Sequence, residues 1–193
     1  MRIHWKHLLL AAMFTCALAN AAAQPGTVDA ALLAKANAGD AAAQVLVGES
    51  YAAGSGQART SRQLTEDCKQ AAEWYRKAAA QGNAAGQVHL AALYRDGKGV
   101  AHDMAQAAAW YRKAAEQGNV LAQATLGLLY SMGQGVPHSD VEAYYWLDLA
   151  AAVNGPDQEK YAANRQMIGT HITADELDEV QERVAKWIAA HPR

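Results

Sequence analysis

The chain has 193 residues, a formal net charge of −2 at pH 7, 51% hydrophobic residues and 7% aromatic residues. This balance is typical of one soluble domain that is rich in small apolar residues. It excludes the strongly basic surface that a nucleic-acid-binding protein needs, so we expect no nucleic acid partner.

The first 23 residues form a separate segment that we interpret as a secretory signal peptide. Arg2 and Lys6 precede an apolar run over residues 8–18, and Ala-x-Ala cleavage sites follow, with cleavage after Ala21 or Ala23. The apolar run is too short to span a bilayer comfortably, and no later stretch predicts an integral membrane segment. We therefore predict a periplasmic or secreted protein in which residues 24–193 form the mature domain.

Residues 28–38 predict a helix, because alanine, leucine and lysine all favour helical structure. The helix is expected to end at Gly39, since glycine is common directly after a helix. Gly39 corresponds to Gly82 and Gly118 further along the chain. The first helix is therefore interpreted as the second half of a truncated leading repeat.

A sequence repeat organises the chain as far as about residue 155. Trp74, Trp110 and Trp146 are spaced by 36 residues. Other landmarks keep the same step: Gln87 and Gln123, Tyr94 and Tyr130, Gly97 and Gly133, and Gly99 and Gly135. A period of this length predicts stacked helix pairs that bury their apolar faces only against one another. The predicted fold class is an all-α solenoid with units of about 39–82, 83–118 and 119–155.

The first helix of each unit carries small and apolar residues at steps of four, which lie on one helix face. These residues are Ala43, Val47 and Tyr51, then Gly86, Leu90 and Tyr94, then Ala122, Leu126 and Tyr130. Each helix is predicted to stop at a Gly-x-Gly turn, at 54–56, 97–99 and 133–135. Glycine allows the positive φ that a sharp reversal requires. A phosphate-binding loop is the alternative, but no phosphate-binding motif accompanies the turns.

The second helix of each unit is predicted to begin at a capping box. The three pairs are Asp67 with Gln70, Asp103 with Gln106, and Ser139 with Glu142. The repeated tryptophans that follow are interpreted as wedges in the core rather than as ligand platforms. Cys68 would then lie in a first turn, where the helix dipole favours a thiolate. We weigh a redox or intermolecular disulfide role for Cys68 against simple packing, and favour packing.

An insertion distinguishes the first unit from the other two. It covers roughly Gln57 to Glu66 and carries Arg59 and Arg62. Insertions in repeat arrays usually form loops, often on a binding face, so we expect a loop there.

The segment 156–193 is predicted to cap the stack. A less repetitive helix runs from Pro156 to about Met167, and Thr173 with Glu176 forms a capping box for a last helix that ends near Ala190. An apolar stripe on that last helix should close the open end of the array. The stripe consists of Leu177, Val180, Val184, Trp187 and Ile188.

The units read Ala-x-x-x-Leu-Gly/Ala-x-x-Tyr-x-x-Gly-x-Gly-Val, followed by Trp-Tyr-Arg-Lys-Ala-Ala-x-Gln-Gly-Asn. This pattern closely resembles the Sel-one-like repeat, the bacterial relative of the tetratricopeptide repeat. The resemblance implies a right-handed superhelix of α/α units, and an adaptor role for protein complexes in cell-envelope, secretion or host-interaction settings. The third unit departs from the pattern at Trp146-Leu147-Asp148-Leu149. A cysteine-rich secreted branch is linked to penicillin binding, but this chain lacks its cysteine pairs.

The sequence offers no pattern that supports an enzyme. The histidines after the signal peptide are His89, His102, His138, His171 and His191. None has His-x-x-x-His spacing, and no second cysteine is available for a zinc site. Neither a Gly-x-Ser-x-Gly nor a Ser-x-x-Lys motif is present. We therefore predict no catalytic residue, no metal and no cofactor.

The surface that differs among the repeats is the candidate binding site. Three sets of equivalent positions on the first helices make up this surface: Leu46, His89 and Thr125; Glu49, Ala92 and Leu128; and Ala53, Asp96 and Met132. Within each helix these positions form one continuous stripe. We hypothesise that the stripes, with the insertion beside them, form a groove for a protein or peptide segment. A surface that merely tolerates variation is the other interpretation.

Taken together, the patterns favour a non-enzymatic periplasmic or exported scaffold that mediates protein–protein interaction in the cell envelope or in a secretion system. One alternative is a periplasmic immunity or inhibitor protein for a secreted toxin or lipase. A second alternative is an enzyme that acts on β-lactams or peptidoglycan. The oligomeric state stays open.

Overall fold

The computed structural model describes residues 28–54 and 60–192, and these residues fold into nine α-helices without a strand among them. The predicted signal peptide, the tip of the first Gly-x-Gly turn and Arg59 lie outside the described residues. The helices are α1 (Ala30–Asn37), α2 (Ala41–Gly54), α3 (Ser61–Ala80), α4 (Ala84–Asp96), α5 (Met104–Glu116), α6 (Val120–Met132), α7 (Asp140–Ala151), α8 (Gln158–Gly169) and α9 (Ala174–Ala190). The predicted all-α class is confirmed.

The helices stack as successive pairs. α2 packs against α3, α4 against α5 and α6 against α7, and the second helix of each pair also packs against the first helix of the next. The predicted stripe on the first helices forms the core, with Val47, Leu90 and Leu126 completely buried. Each pair thus covers the apolar face of its neighbour, as an α/α solenoid requires.

Small residues on the first helices permit this close packing. A Cβ atom added at Gly48 would lie 2.5 Å from the ring of Tyr75, and one added at Gly127 would lie 2.8 Å from Cγ of Leu147. Both distances are too short for a side chain without movement of the neighbour. Gly48 and Gly127 therefore mark points of close approach between the two helices of a unit.

The Gly-x-Gly turns have the predicted backbone geometry. Gly97 and Gly99 have φ values of +66° and +69°, and Gly133 and Gly135 repeat them at +64° and +72°. A Cβ at Gly99 would also collide with the backbone carbonyl of Cys68 in α3. The second glycine therefore serves two purposes, because it adopts a left-handed conformation and lets the turn rest on the preceding unit.

Buried glutamines connect one unit to the next. Gln44, Gln87 and Gln123 lie on the core side of α2, α4 and α6. Their Nε2 atoms donate to backbone carbonyls at the end of the preceding helix, those of Ala36, Ala79 and Ala115, at 3.0, 3.4 and 3.2 Å. Each of these carbonyls also accepts from the backbone N–H of the glycine three residues later, so the glutamine supplies a second hydrogen bond at the helix end.

A second set of glutamines extends the connection. Nε2 of Gln81 donates to Oε1 of Gln44, and Nε2 of Gln117 donates to Oε1 of Gln87, each at 2.8 Å. We call these five side chains, Gln44, Gln81, Gln87, Gln117 and Gln123, the glutamine ladder. The third unit carries valine, Val153, where the first two carry the donor glutamine. Oε1 of Gln123 is consequently buried without a hydrogen-bond partner in the described part of the chain.

The start of α3 corrects two predictions. The helix begins at Ser61, and Thr60 forms its capping box: Oγ1 of Thr60 accepts from the backbone N–H of Gln63 at 3.4 Å, and the Gln63 side chain accepts in return at 2.9 Å. The predicted cap at Asp67 is therefore wrong, and so is the predicted loop over residues 61–66. These residues include no glycine or proline, so nothing interrupts the helix after Thr60.

The longer helix also changes the interpretation of two other residues. α3 has 20 residues, whereas α5 and α7 have 13 and 12, so the insertion mainly lengthens a helix. Arg62 lies exposed on its first turn rather than in a loop. Cys68 is well inside the helix, so the predicted position in a first turn is wrong. The helix dipole therefore does not favour a thiolate at Cys68, since the dipole acts mainly within the first turn.

The caps of α5 and α7 are confirmed only in part. Asp103 and Ser139 accept from the backbone N–H of Gln106 and Glu142 at 3.0 and 3.2 Å. The reciprocal half of each predicted capping box does not form, because each cap residue donates its own N–H to a carbonyl of the preceding first helix. Asp103 donates to Tyr94 at 3.0 Å and Ser139 donates to Tyr130 at 3.1 Å.

The last helix closes the stack by folding back onto α7. The predicted capping box of Thr173 and Glu176 is confirmed, with bonds of 2.8 and 3.3 Å. Val180 and Val184 are buried in the main core, as the predicted stripe requires, whereas Ile188 is exposed. Arg183 fixes the helix from its polar side: its Nη2 donates to Oε1 of Glu142 at 2.8 Å, and its guanidinium lies 4.4 Å from the ring centre of Tyr145.

α8 behaves like the first helix of a further unit. Nε2 of Gln158 donates to the carbonyl of Ala151 at 3.2 Å, which repeats the contact of the buried glutamines in the earlier units. Pro156 precedes this helix by two residues, so the prediction that it lies in the first turn is wrong. The glutamine pattern therefore continues past the third unit.

Candidate functional site

The predicted groove residues lie on α2, α4 and α6, on the surface that faces away from the buried stripe. The described chain exposes five large hydrophobic side chains, and Leu46, Leu121 and Met132 are three of them, at 50%, 56% and 55% exposure. Leu121 lies one turn before Thr125 on the same stripe of α6. We call the nine predicted residues together with Leu121 the first-helix face. The exposed apolar surface of the described chain is thus concentrated on this face.

Glu49 and His89 form the polar part of this face. Oε1 of Glu49 lies 3.1 Å from Nε2 of His89, so the two side chains connect α2 to α4. The imidazole stacks on the ring of Tyr75, with 4.7 Å between ring centres and 16° between ring planes. Burial raises the pKa of Tyr75, and the nearby Glu49 and Cys68 raise it further, so Tyr75 stays neutral. The sequence predicted both residues for the groove, and the structure brings them together.

Asp96 is the second acidic residue of the face. Its carboxylate accepts from Nε of Arg95 at 2.9 Å and from Nζ of Lys98 at 3.2 Å. The bond from Arg95 is the main reason that the pKa of Asp96 is lowered, and the contact with Lys98 adds to it. Arg95 also donates to the hydroxyl of Tyr111 at 3.3 Å. The charge of Asp96 is therefore already balanced by its neighbours, which leaves Glu49 as the more available acid.

The part of the face on α6 is apolar. Leu128 is half-buried between the exposed Leu121 and Met132. The hydroxyl of Thr125 donates to the carbonyl of Leu121 at 2.7 Å, so its polarity is satisfied within the helix. Ala92 on α4 is half-buried and adds a further small apolar contact. The face thus changes from a polar pair between α2 and α4 to an apolar stripe on α6.

The described part of the insertion, residues 60–66, lies at the start of α3 and not on a first helix. Because the insertion lengthens α3, Arg62 lies on a second helix, away from the stripe of first helices. The extension of α3 instead borders a cleft of about 440 Å³ beside the turn between α4 and α5. Leu64, Thr65 and Cys68 line one side of it, and Gly97, Lys98 and Gly99 line the other. Because Arg59 lies outside the described residues, the predicted union of groove and insertion stays a prediction.

Leu121 was missed by the sequence analysis. The equivalent positions of the first two units carry alanine, Ala42 and Ala85, so comparison of the three units marks the third as different. A step of four back from Thr125 would also have found it. Leu121 matters because it joins the face to a second cleft of about 290 Å³, at the start of α6, which Val153, Pro156 and Tyr161 also line.

The remaining polar residues show no sign of a metal site or a membrane segment. Among residues 28–54 and 60–192, no group of three His, Cys, Asp or Glu side chains lies close enough to hold a metal ion. His102 lies between α4 and α5, with Nδ1 2.7 Å from the carbonyl oxygen of Arg95. Across the same ranges, every helix is too short or too polar to cross a bilayer.

Comparison with protein families supports the repeat assignment. The Sel1 repeat model matches residues 41–83, 84–119 and 120–154, which together make up more than half of the chain. The chain belongs to the Sel1 repeat family. The matched ranges coincide with the three pairs α2–α3, α4–α5 and α6–α7. Sel1 repeats are scaffolds that generally mediate protein interaction and are typically not catalytic.

Two solved Sel1-type structures are similar to the chain. One is a protective antigen present in uropathogenic Escherichia coli strains that displays an SLR fold, with 37% identity and a TM-score of 0.69; the match covers 82% of this chain and 32% of the antigen. The other is a Sel1 repeat protein from Oxalobacter formigenes, with 32% identity and a TM-score of 0.56, covering 67% of this chain and 92% of that protein. The chain therefore spans about a third of the antigen's length. A comparison with curated proteins finds no match.

Proposed function

We propose that this Sel1 repeat protein is a non-enzymatic adaptor of the bacterial cell envelope that binds a partner protein on its first-helix face. One observation supports the proposal above all: three of the five exposed large hydrophobic side chains of the described chain lie on this face. Large apolar side chains that are exposed on one face together with polar residues are typical of protein-binding surfaces. The Sel1 repeats supply the rigid support on which such a surface is held.

The chemistry of the face indicates the kind of segment that it takes. A polar pair, Glu49 with His89, lies on the first part of the face, and an apolar stripe from Leu121 to Met132 lies on the last. Packed helices lie roughly 8–10 Å apart, so the distance from α2 to α6 is on the order of 20 Å. An amphipathic helix covers that distance with about 13 residues at 1.5 Å each. We therefore propose an amphipathic protein segment as the ligand.

Export forms the other part of the proposal, and the basic and apolar pattern of residues 1–23 supports it. Periplasmic extracts of cells that express the full chain test this directly. Intact-mass measurement is expected to show a protein that lacks its first 21 or 23 residues. A full-length mass, or a protein confined to the cytoplasmic fraction, would contradict the envelope assignment.

The binding face can be tested with photo-crosslinking residues placed at exposed positions. Leu46 and Met132 probe the face, whereas Met167 and Ile188 provide matched controls, because they are also large, apolar and exposed but lie on α8 and α9. We expect crosslinks to one discrete protein from the first two positions only. Leu46→Glu together with Met132→Glu should abolish the crosslink while the circular dichroism spectrum stays unchanged.

The control variants make this experiment decisive. If Met167→Glu together with Ile188→Glu reduces partner capture as strongly as the double variant on the face, the apolar cluster is not the binding site. The same conclusion follows if crosslinks form equally from all four positions.

A further inference from the structure

A small cleft opens at the end of the first-helix face. It lies between the start of α6 and the segment that joins α7 to α8, and its volume is about 290 Å³. Val120, Leu121, Val153, Pro156 and Tyr161 supply apolar walls, and Asp157 lies at the cleft as well. Ligand sites for whole small molecules usually begin near this volume, so the cleft suits a single side chain better than a complete cofactor.

The third unit differs from the other two where this cleft forms. In the second unit, Gln117 occupies the position of Val153 and reaches back to Gln87 at 2.8 Å. Val153 carries no such donor, and Leu121 replaces the alanine of the earlier units, Ala85. The third unit has therefore exchanged a polar connection within the unit for an apolar lining.

Asp157 gives the cleft a negative charge that the fold does not use. It precedes α8 at the N-cap position, but its side chain makes no capping hydrogen bond. No ion pair of Asp157 occurs among the described residues. Asp157 lies near Tyr161: burial raises the pKa of the Tyr161 hydroxyl, and the charge of Asp157 raises it further. An unpaired carboxylate thus stands beside an apolar wall.

We propose that this cleft binds one apolar side chain of a partner protein together with an adjacent basic side chain. The apolar group would lie between Leu121 and Tyr161, and the lysine or arginine beside it would pair with Asp157. A cation is the preferred neighbour because a charged donor forms a stronger hydrogen bond to a carboxylate than a neutral donor does. The inference deepens the proposed function, because Leu121 belongs both to the cleft and to the first-helix face.

Short peptides test the cleft without knowledge of the natural partner. The full chain, labelled with nitrogen-15, would be titrated with N-acetyl-leucyl-lysine amide and with N-acetyl-leucyl-glutamate amide. We expect the lysine peptide to bind in the millimolar range and to shift the backbone amide signals of Leu121, Val153 and Tyr161. The glutamate peptide should bind at least several-fold more weakly, because Asp157 repels it.

Three variants assign the contributions of the cleft residues. Leu121→Asp should weaken binding of the lysine peptide at least tenfold, and folding is retained because Leu121 is mostly exposed. Asp157→Asn should reduce the preference for lysine over glutamate to near unity. Met167→Asp places the same charge at another exposed apolar position on α8 and should change nothing.

Several results would overturn the inference. Equal binding of both peptides to the unmodified protein would show that Asp157 does not select a basic side chain. Shifts confined to the cleft beside Cys68 would place the site elsewhere. A dimer that Leu121→Asp dissociates in sedimentation would make a second copy of the chain the occupant. Failure of the cleft inference can be distinguished from failure of the proposed function, because the crosslinking positions Leu46 and Met132 do not line this cleft.

Discussion

Nε2 of Gln117 donates to Oε1 of Gln87 across 2.8 Å and thereby ties the loop after α5 to the buried side of α4. Gln87 donates in turn to the carbonyl of Ala79, so one amide satisfies both its donor and its acceptor within the core. The same arrangement occurs between Gln81 and Gln44. In the third unit the donor is absent, and Oε1 of Gln123 stays unsatisfied.

Val153→Gln is expected to stabilise the protein. The new amide would supply the hydrogen bond that Oε1 of Gln123 lacks, and a typical hydrogen bond contributes about 1 kcal/mol to the free energy of unfolding. Urea unfolding followed by circular dichroism measures the change. Val153→Leu is the matched control, since leucine has a similar length but no donor. A gain in stability from leucine equal to that from glutamine would show that burial, and not the ladder, is responsible.

Gly99→Ala should destabilise the protein by more than about 2 kcal/mol. Alanine is strained at a φ of +69°, and its Cβ would collide with the carbonyl of Cys68. Gly155→Ala is the control, because nothing lies within 4 Å of its Cβ position and its φ is not positive. The control should be neutral or stabilising by up to about 1 kcal/mol. Thermal unfolding compares the two, and equal effects would contradict the close approach at Gly99.

Arg183→Met is expected to loosen α9. The methionine keeps part of the apolar stem but loses the bond to Glu142 and the contact with the ring of Tyr145, which together contribute about 1–2 kcal/mol. Hydrogen exchange at the backbone amides of Val180 and Val184 should accelerate accordingly. Lys186→Met removes an exposed cation from the same helix and should leave exchange unchanged. Unchanged exchange in Arg183→Met would show that the buried valines alone hold the helix.

Asp96→Asn should alter how stability depends on pH. The contact with Arg95 lowers the pKa of Asp96 from its ordinary value of 3.8, so the folded state favours the charged form. Its contribution is therefore present above pH 3.8 and disappears as the pH falls through the lower folded-state value.

The size of this effect is limited because the Asp96 side chain is 31% exposed, so we expect less than about 1 kcal/mol. The free energy of unfolding, measured between about pH 2 and pH 7, should differ between Asp96→Asn and the unmodified protein only above the acid range. Added salt should reduce the difference. A constant difference at every pH would point to a packing defect instead.

The repeat predicted most of this fold, because repeated glycines indicate turns and repeated tryptophans and small residues indicate packed helix faces. Gly97 and Gly99 had to form a turn, and Val47 and Leu90 had to be buried. The start of α3 was harder, since Thr60 with Gln63 and Asp67 with Gln70 both have cap spacing. Alignment with the other units favoured the second pair. The helix instead begins at the first, because nothing in the inserted sequence stops it.

The candidate site was less predictable because it depends on contacts between units. The stripe of varying positions found Glu49 and His89, but no pattern shows that these side chains touch or that His89 stacks on Tyr75. The burial of the glutamines was equally difficult to predict, since glutamine usually lies on the surface. Their partners are backbone carbonyls eight residues earlier and glutamine side chains that directly follow the second helix of the same unit. Such pairings become visible only in three dimensions.

The glutamine ladder allows the middle unit of this protein to be present in more than one copy. Residues 84–119 carry the Gln87 amide that donates back to Ala79, the Ala115 carbonyl that accepts from the next unit, and a glycine turn that rests on the helix before it. If a copy of that segment were inserted after Asn119, the same hydrogen bonds and the same glycine turn would form at both of its junctions. The array can therefore be lengthened one unit at a time. The helical content per residue would stay constant, and α9 would still close the end of the stack.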